Sequence, residues 1–212
     1  MLLVGLTGGL ASGKSFIGRT LETCGCHLIR ADDLGHEVLE PDGPAYPGVL
    51  AEFGSYILKE DGTINRRLLG SIVFAAPERL ELLNRLVHPH VFALEDKRIA
   101  ALRAGDSRAM IVIEAAIMIE TGSYKRYDAI VLAVCSPETQ IARAMHRDQL
   151  PRHEVEARLA RQMPLDGKRA FADYVIDTDH SKEETIARVH AVYGALRALE
   201  EARFSRTESS PE

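Results

Sequence analysis

Near the start of the chain the apolar run Leu2-Leu3-Val4-Gly5-Leu6 leads through Thr7 into Gly8-Gly9-Leu10-Ala11-Ser12-Gly13-Lys14-Ser15. The spacing G-x-x-x-x-G-K-S behind a strand-like run predicts a strand, a loop that wraps phosphate, and a helix opening at about Lys14. Gly8, Gly9 and Gly13 are expected to take positive φ and to bring backbone N–H groups close around a β-phosphate, where a Cβ would collide. The N-terminus of the following helix favours the same anion. Lys14 is expected to reach the β- and γ-phosphates as a point charge, and the Ser15 hydroxyl to hold Mg²⁺. The alternative is a glycine-rich turn with a lysine that happens to follow. The strand before it and the helical stretch Phe16 to Cys24 after it favour the nucleotide.

A phosphate loop of this kind needs a sheet behind it, and further strand-like runs recur at Leu28 to Ile29, Met110 to Ile113, Ile130 to Val134 and Tyr174 to Ile176. Helical patterns lie between them, which predicts a mostly parallel sheet with helices on both faces. At 212 residues the chain is expected to be one α/β unit with insertions. Its net charge of −5 argues against a nucleic-acid partner. The N-terminus has no basic segment and its apolar stretch is short and broken by glycines, so neither a signal peptide nor a membrane span is expected, and the expected location is cytoplasmic. Cys24, Cys26 and Cys135 have no zinc spacing and read as packing residues.

Ligands of parallel sheets bind at the carboxyl ends of the strands, so the residues just beyond each run are the candidates. The second run ends in Arg30-Ala31-Asp32-Asp33. One carboxylate there is expected to orient an attacking hydroxyl, while the competing role is an N-cap for a helix starting near Leu34. Position alone leaves the two aspartates tied. Pro41 to about Ser55 reads as a connection. Arg66 to Phe74, Glu78 to Leu86 and Pro89 to Arg103 read as helices of an insertion, with Pro89 starting the last of them. His88, before that proline, reads as structural more readily than as functional. Glu114 follows the third strand where a carboxylate near Mg²⁺ is expected, usually an aspartate. Glu120-Thr121-Gly122 reads as a turn at the cleft. Past the fourth strand, Ser136-Pro137 opens a helix with Gln140, Arg143 and Arg147 on one face, and a second helix from about Arg152 to Gln162 carries Arg158, Arg161 and Gln162. These arginines suggest a lid over polyphosphate; the alternative is a solvated face with pairs such as Glu154 with Arg158. The closing helix is expected over about Lys182 to Ala202, and the polar residues Ser205 to Glu212 are expected to fray.

Taken in order, these residues resemble the dephospho-coenzyme A kinase family across nearly the whole chain. The matching pieces are Gly5-Leu6-Thr7-Gly8-Gly9 with Ser12-Gly13-Lys14-Ser15, then Ala31-Asp32, Asp61-Gly62-Thr63 with Arg66, Leu83-Asn84 and His88-Pro89. They continue with Gln140, Arg143, Arg147-Asp148, Arg158, Gln162-Met163-Pro164, Lys168, Ala172-Asp173-Tyr174 and Ile176-Asp177. The loop alone is common to many proteins, whereas the ordered set is specific. The resemblance implies a three-layer P-loop NTPase fold with a parallel five-stranded sheet: core 1–34, 105–136 and 164–204, a helical coenzyme-binding insertion 35–104, a lid 137–163 and a polar tail 205–212.

It implies transfer of the γ-phosphoryl group of ATP, with Mg²⁺, to the 3′-hydroxyl of the ribose of dephospho-coenzyme A. The small-molecule substrates ATP and dephospho-coenzyme A are the implied partners, for a monomer or small homo-oligomer with no membrane or nucleic acid. Asp32 takes the family's catalytic position beside Lys14 and Arg143, which leaves Asp33 as the cap. ATP would be held by Gly8, Gly9, Ala11, Ser12, Gly13, Lys14, Ser15, Phe16, Arg143 and Arg147, and the acceptor by Thr7, Asp32, Arg66, His88 and Glu120. Three departures stand out: Ala11 for a glycine, Ala115-Ala116-Ile117-Met118-Ile119 for the usual I-P-L-L-F, and Thr178 for a common asparagine. A kinase of another small acceptor, such as a nucleoside monophosphate, is kept alive by Arg66, Arg67 and Arg85. A nucleotide-dependent binding switch is the reading from another class.

Overall fold

The structure, a computed structural model, describes residues 1–208. Five strands form one parallel sheet in the order β2-β3-β1-β4-β5. They are β1 (Leu2–Gly8), β2 (His27–Arg30), β3 (Met110–Glu114), β4 (Ala129–Val134) and β5 (Tyr174–Asp177). Phosphate-loop strand β1 is central, with Val4 opposite Val112 of β3 and Leu6 opposite Val131 of β4. Every residue of β3 and β4 is buried, as expected of strands covered on both faces. Alternation then sorts the side chains: Ala129, Val131 and Ala133 join Leu2, Val4 and Leu6 against Ile17, Leu21, Val189 and Leu196, whereas Ile130 packs on the opposite side with Met118 and Ile119.

The chain divides into two compact units, residues 1–29 with 102–212, and residues 30–101. In the first, the helices are α1 (Lys14–Thr23), followed after the second unit by α6 (Pro137–Asp148), α7 (Arg152–Leu159), α8 (Leu165–Lys168) and α9 (Lys182–Glu208). Helix α9 runs past Ala202 to Glu208, so Ser205 to Glu208 are helical rather than frayed; residues 209–212 lie outside the described residues. Arg108 donates two hydrogen bonds to the buried Glu200, at 3.1 and 2.9 Å, and so fastens this helix to the segment before β3.

The second unit is helical, with α2 (Ala31–Glu37), α3 (Tyr46–Phe53), α4 (Arg66–Ala75) and most of α5 (Pro77–Gly105). Its buried side chains include Leu34, Val38, Val49, Phe53, Leu69 and Val73. Three expectations are corrected here. The stretch Pro41 to Ser55 is not only a connection: Pro47 stands in the first turn of α3, a position that lacks a helical acceptor for its N–H anyway. Pro89 does not start a helix but lies inside α5, whose buried residues Val87, Val91, Glu95 and Ile99 keep a four-residue spacing straight through it. The buried stripe outweighs the hydrogen bond that proline removes. Helix α2 begins directly after β2, so Asp32 and Asp33 both sit in its first turn and its N-cap is Arg30. Asp33 is therefore not the cap, and strand alternation does not decide between the two carboxylates.

Candidate functional site

The loop between β1 and α1 is built by close approach. A Cβ on Gly8 would lie 2.4 Å from Ser12 Oγ and 2.7 Å from the Ala133 carbonyl, so only glycine fits there. Positive φ occurs at Gly13 (90°) and at Ala11 (53°), not at Gly8 or Gly9, which corrects the expectation for those two glycines. Gly13 is the N-cap of α1, no side chain caps that helix, and its first turn carries no acidic residue. The positive end of its dipole is thus left for an anion. Ser12 is fully buried, and its hydroxyl has no hydrogen-bond partner among the described residues.

Lys14 opens α1, and its Nζ donates to the Gly9 carbonyl at 3.1 Å and the Gly8 carbonyl at 3.4 Å, folding the ammonium back over the loop. Ser15 Oγ donates to Glu114 Oε1 at 2.6 Å, joining the start of α1 to the end of β3. A hydroxyl and a carboxylate at this point suit a hard divalent cation. Among the described residues no group of three or more His, Cys, Asp or Glu side chains could hold a metal ion. Phe16 is half-buried, and its backbone N–H bonds to the Gly13 carbonyl at 3.0 Å.

Helix α6 is fixed to the loop and to the end of β5. Its N-cap Ser136 accepts from the Thr139 N–H at 3.3 Å, while the Ser136 N–H donates to Asp179 Oδ2 at 2.7 Å. Hydrogen bonds from Thr139 and Ser136 hold the Asp179 carboxyl below its usual range. Leu10, at the loop's crest, is held from two sides: its N–H donates to Gln162 at 2.8 Å and its carbonyl accepts from buried Gln140 at 2.7 Å. Arg143 Nη1 donates to Thr178 Oγ1 at 2.9 Å and Nη2 to the Thr178 carbonyl at 2.6 Å. Arg147 instead makes a forked pair with Asp148 at 2.7 and 3.0 Å, which keeps that carboxyl below its usual range. Arg158 is 3.5 Å from the same carboxylate.

Thr7 is buried and donates to the Ala116 carbonyl at 3.4 Å. Lys168 is wholly buried; its Nζ donates to that same carbonyl at 3.0 Å and pairs with Glu120 at 2.8 Å. Glu120 also accepts from the Met163 N–H at 3.1 Å, so it ties the segment after α7 to the turn after β3. A cavity of about 550 Å³ opens beside the loop, lined among others by Gly9, Ser136, Gln140, Met163 and Asp177. Of the residues assigned to ATP or to the acceptor, Gly9 lies in its wall.

The remaining candidates lie in the helical unit. Asp32 is exposed in the first turn of α2. Arg66, first residue of α4, pairs with Glu40 at 2.9 Å and reaches the His36 carbonyl at 3.5 Å. His88 lies within α5 with its ring 5.9 Å from that of Phe92, and burial pushes its pKa down. Lys168, one of the matching family residues, and Thr178, one of the departures, have partners that spacing does not advertise, since neither a lysine in a polar stretch nor a threonine after a strand shows what it will meet.

A dephospho-CoA kinase family model matches residues 2–184. A dephospho-CoA kinase from Geobacter metallireducens is 42% identical over 193 residues, 91% of this chain and 96% of the relative. A Thermus thermophilus protein of known crystal structure is 30% identical with a TM-score of 0.78, covering 93% of this chain and 97% of the other. The structure of a dephospho-CoA kinase from Campylobacter jejuni, 22% identical with a TM-score of 0.60 over 92% of this chain and 96% of its own, shares the fold. The chain, from its phosphate loop through its five-stranded sheet to the end of β5, belongs to the dephospho-CoA kinase family.

Proposed function

We propose that Lys14, Ser15, Arg143 and Asp32 carry out the phosphoryl transfer of an enzyme that phosphorylates dephospho-coenzyme A with ATP, the final step of coenzyme A biosynthesis. The observation that supports this most directly is the loop itself: an uncapped helix N-terminus behind left-handed Gly13, with Lys14 over the loop carbonyls and Ser15 bonded to Glu114. Transfer of this kind asks little covalent chemistry of the protein; its rate comes from positioning and from stabilising charge.

In this reading the backbone donors of Gly8 to Gly13 and the dipole of α1 bind the β-phosphate, and Lys14 neutralises charge shared between the β- and γ-phosphates. Ser15 would hold Mg²⁺, with Glu114 orienting the hydroxyl, and the ion when bound supplies charge neutralisation of the phosphates. Arg143 stabilises negative charge that grows on the transferred group. Asp32, at the position of the family's catalytic aspartate, accepts a hydrogen bond from the ribose 3′-hydroxyl and takes its proton as the bond to phosphorus forms. Thr7, Arg66, His88 and Glu120 are assigned to the acceptor, and Arg147 to ATP. We further assign the protein to the cytoplasm, as a monomer or small homo-oligomer acting on small molecules. No helix among the described residues is long and apolar enough to cross a membrane.

The test is a coupled assay of ADP release with Mg-ATP, offering dephospho-coenzyme A, AMP, CMP or no acceptor. Release with dephospho-coenzyme A alone, and coenzyme A as the product, is the expected outcome. Release only with a monophosphate would mean that the helical unit recognises another acceptor. Equal release in the blank would remove the acceptor from the reaction.

A further inference from the structure

We infer that Thr178 is a positioning residue that keys Arg143 to the phosphate loop. The inference rests on the reading of Arg143 as a group that acts on the transferred phosphoryl. Thr178 follows β5 and is 4% exposed. Its one hydroxyl works in both directions. Oγ1 accepts from Arg143 Nη1 at 2.9 Å and donates its own proton to the Ser12 carbonyl at 3.0 Å. Its backbone carbonyl takes the second arm of the guanidinium at 2.6 Å.

The side chain also fills the space beside the loop's left-handed glycine: a Cβ on Gly13 would lie 3.0 Å from Thr178 Cγ2 and 3.1 Å from Oγ1. A single residue therefore touches the last turn of the loop with its methyl and hydroxyl, and holds the arginine with its hydroxyl and carbonyl. Arg143 is thereby referenced to the backbone that wraps the phosphates, rather than only to its own helix. The neighbouring Asp179 clamps the N-terminus of the same helix at Ser136, so the segment after β5 fixes α6 at two points one turn and more apart.

Removing the hydroxyl while keeping the shape leaves an arginine donor and the Ser12 carbonyl without their shared partner. Of its two hydrogen bonds to Thr178 the guanidinium then keeps the one to the carbonyl and can pivot about it. A group that must meet developing charge then loses its aim in the transition state more than in the bound ground state.

The experiment compares wild type, Thr178→Val, Thr178→Ser, Arg143→Ala and the double variant Thr178→Val/Arg143→Ala, each as the full chain. Turnover and KM for ATP are measured with dephospho-coenzyme A, and thermal unfolding is followed in parallel. Thr178→Val is expected to lower kcat about tenfold with KM for ATP changed less than about twofold. Thr178→Ser is expected to restore most of the rate, and Thr178→Val to cost nothing further when Arg143 is already gone. If Thr178→Val does not fold, Thr178→Ala, which only makes room beside Gly13, serves the same comparison. Wild-type turnover in Thr178→Val beside a strong loss in Arg143→Ala would overturn the inference and leave the role of Arg143 standing. An equal loss in both backgrounds, or a gain in rate from a released arginine, would also overturn it. Wild-type turnover in Arg143→Ala would instead remove Arg143 from the mechanism, and Thr178 with it.

Discussion

Ala11 and Gly8 show how two residues of one loop tolerate change differently. Ala11 already occupies the left-handed region, φ 53°, where a non-glycine residue is held at a cost of about 1 kcal/mol. Its methyl recovers part of that by packing beside Ile141, Ala144 and Val155. Gly8 has no such freedom, because a Cβ would meet the Ala133 backbone as well as Ser12. Gly8→Ala is expected to weaken ATP binding more than about tenfold, measured by titration with a fluorescent nucleotide; unchanged affinity would show that the loop relaxes around the added carbon. Asp32 poses a different question, since in the first turn of α2 it also complements the helix dipole. Asp32→Asn is expected to leave nucleotide affinity nearly intact while lowering turnover by about 10²–10⁴, and wild-type turnover would reduce Asp32 to its dipole role.

Elements are held by groups far apart in the chain. Lys168, wholly buried, bridges the end of α8 to the turn after β3 through Glu120, whose side chain is 22% exposed. The pair is asymmetric: without Lys168 the carboxylate can still be hydrated, whereas without Glu120 an ammonium is left buried against one carbonyl. Glu120→Ala is therefore expected to cost about 3 kcal/mol in urea unfolding and Lys168→Met about half as much. The reverse order would mean that packing of the lysine stem matters more than its charge. In α5, Pro89 forfeits one helical hydrogen bond at an exposed position. Pro89→Ala is expected to raise stability by about 1–2 kcal/mol, the regained bond and lost clash outweighing the freer unfolded chain.

For the whole molecule the ionisable groups point to a loss of stability on acidification. Burial holds His88 below its usual 6.5, so between that pH and its folded pKa the unfolded chain takes up a proton that the folded chain refuses. Arg108 holds the Glu200 carboxyl below 4.5, Arg147 holds Asp148 below 3.8, and Ser136 with Thr139 does the same for Asp179. What these carboxylates contribute is complete above their unfolded values and disappears as the pH falls through the folded ones. The urea midpoint is expected to decline in two stages, one beginning near pH 6.5 and a steeper one below about pH 4.5. In His88→Leu the first stage should vanish; if it persists, another group carries it.

The parts of this protein that were readable along the chain are those whose causes are local. The loop and the start of α1 follow from glycine conformation and a spacing of eight residues, and the buried strands from unbroken apolar runs. The ordered family residues added the fold and the reaction, and named the residues to which the site is assigned. What could not be read were choices between local and distant forces: a proline overridden by the stripe Val87 to Ile99, a polar end carried on as helix, and a pair of aspartates drawn into α2. Least legible were the side-chain partners, since Ser15 meets Glu114 across 99 residues and Arg143 meets Thr178 across 35. Spacing and propensity act over a few residues, whereas such pairs form only because the order β2-β3-β1-β4-β5 brings the carboxyl ends of distant strands beside one loop.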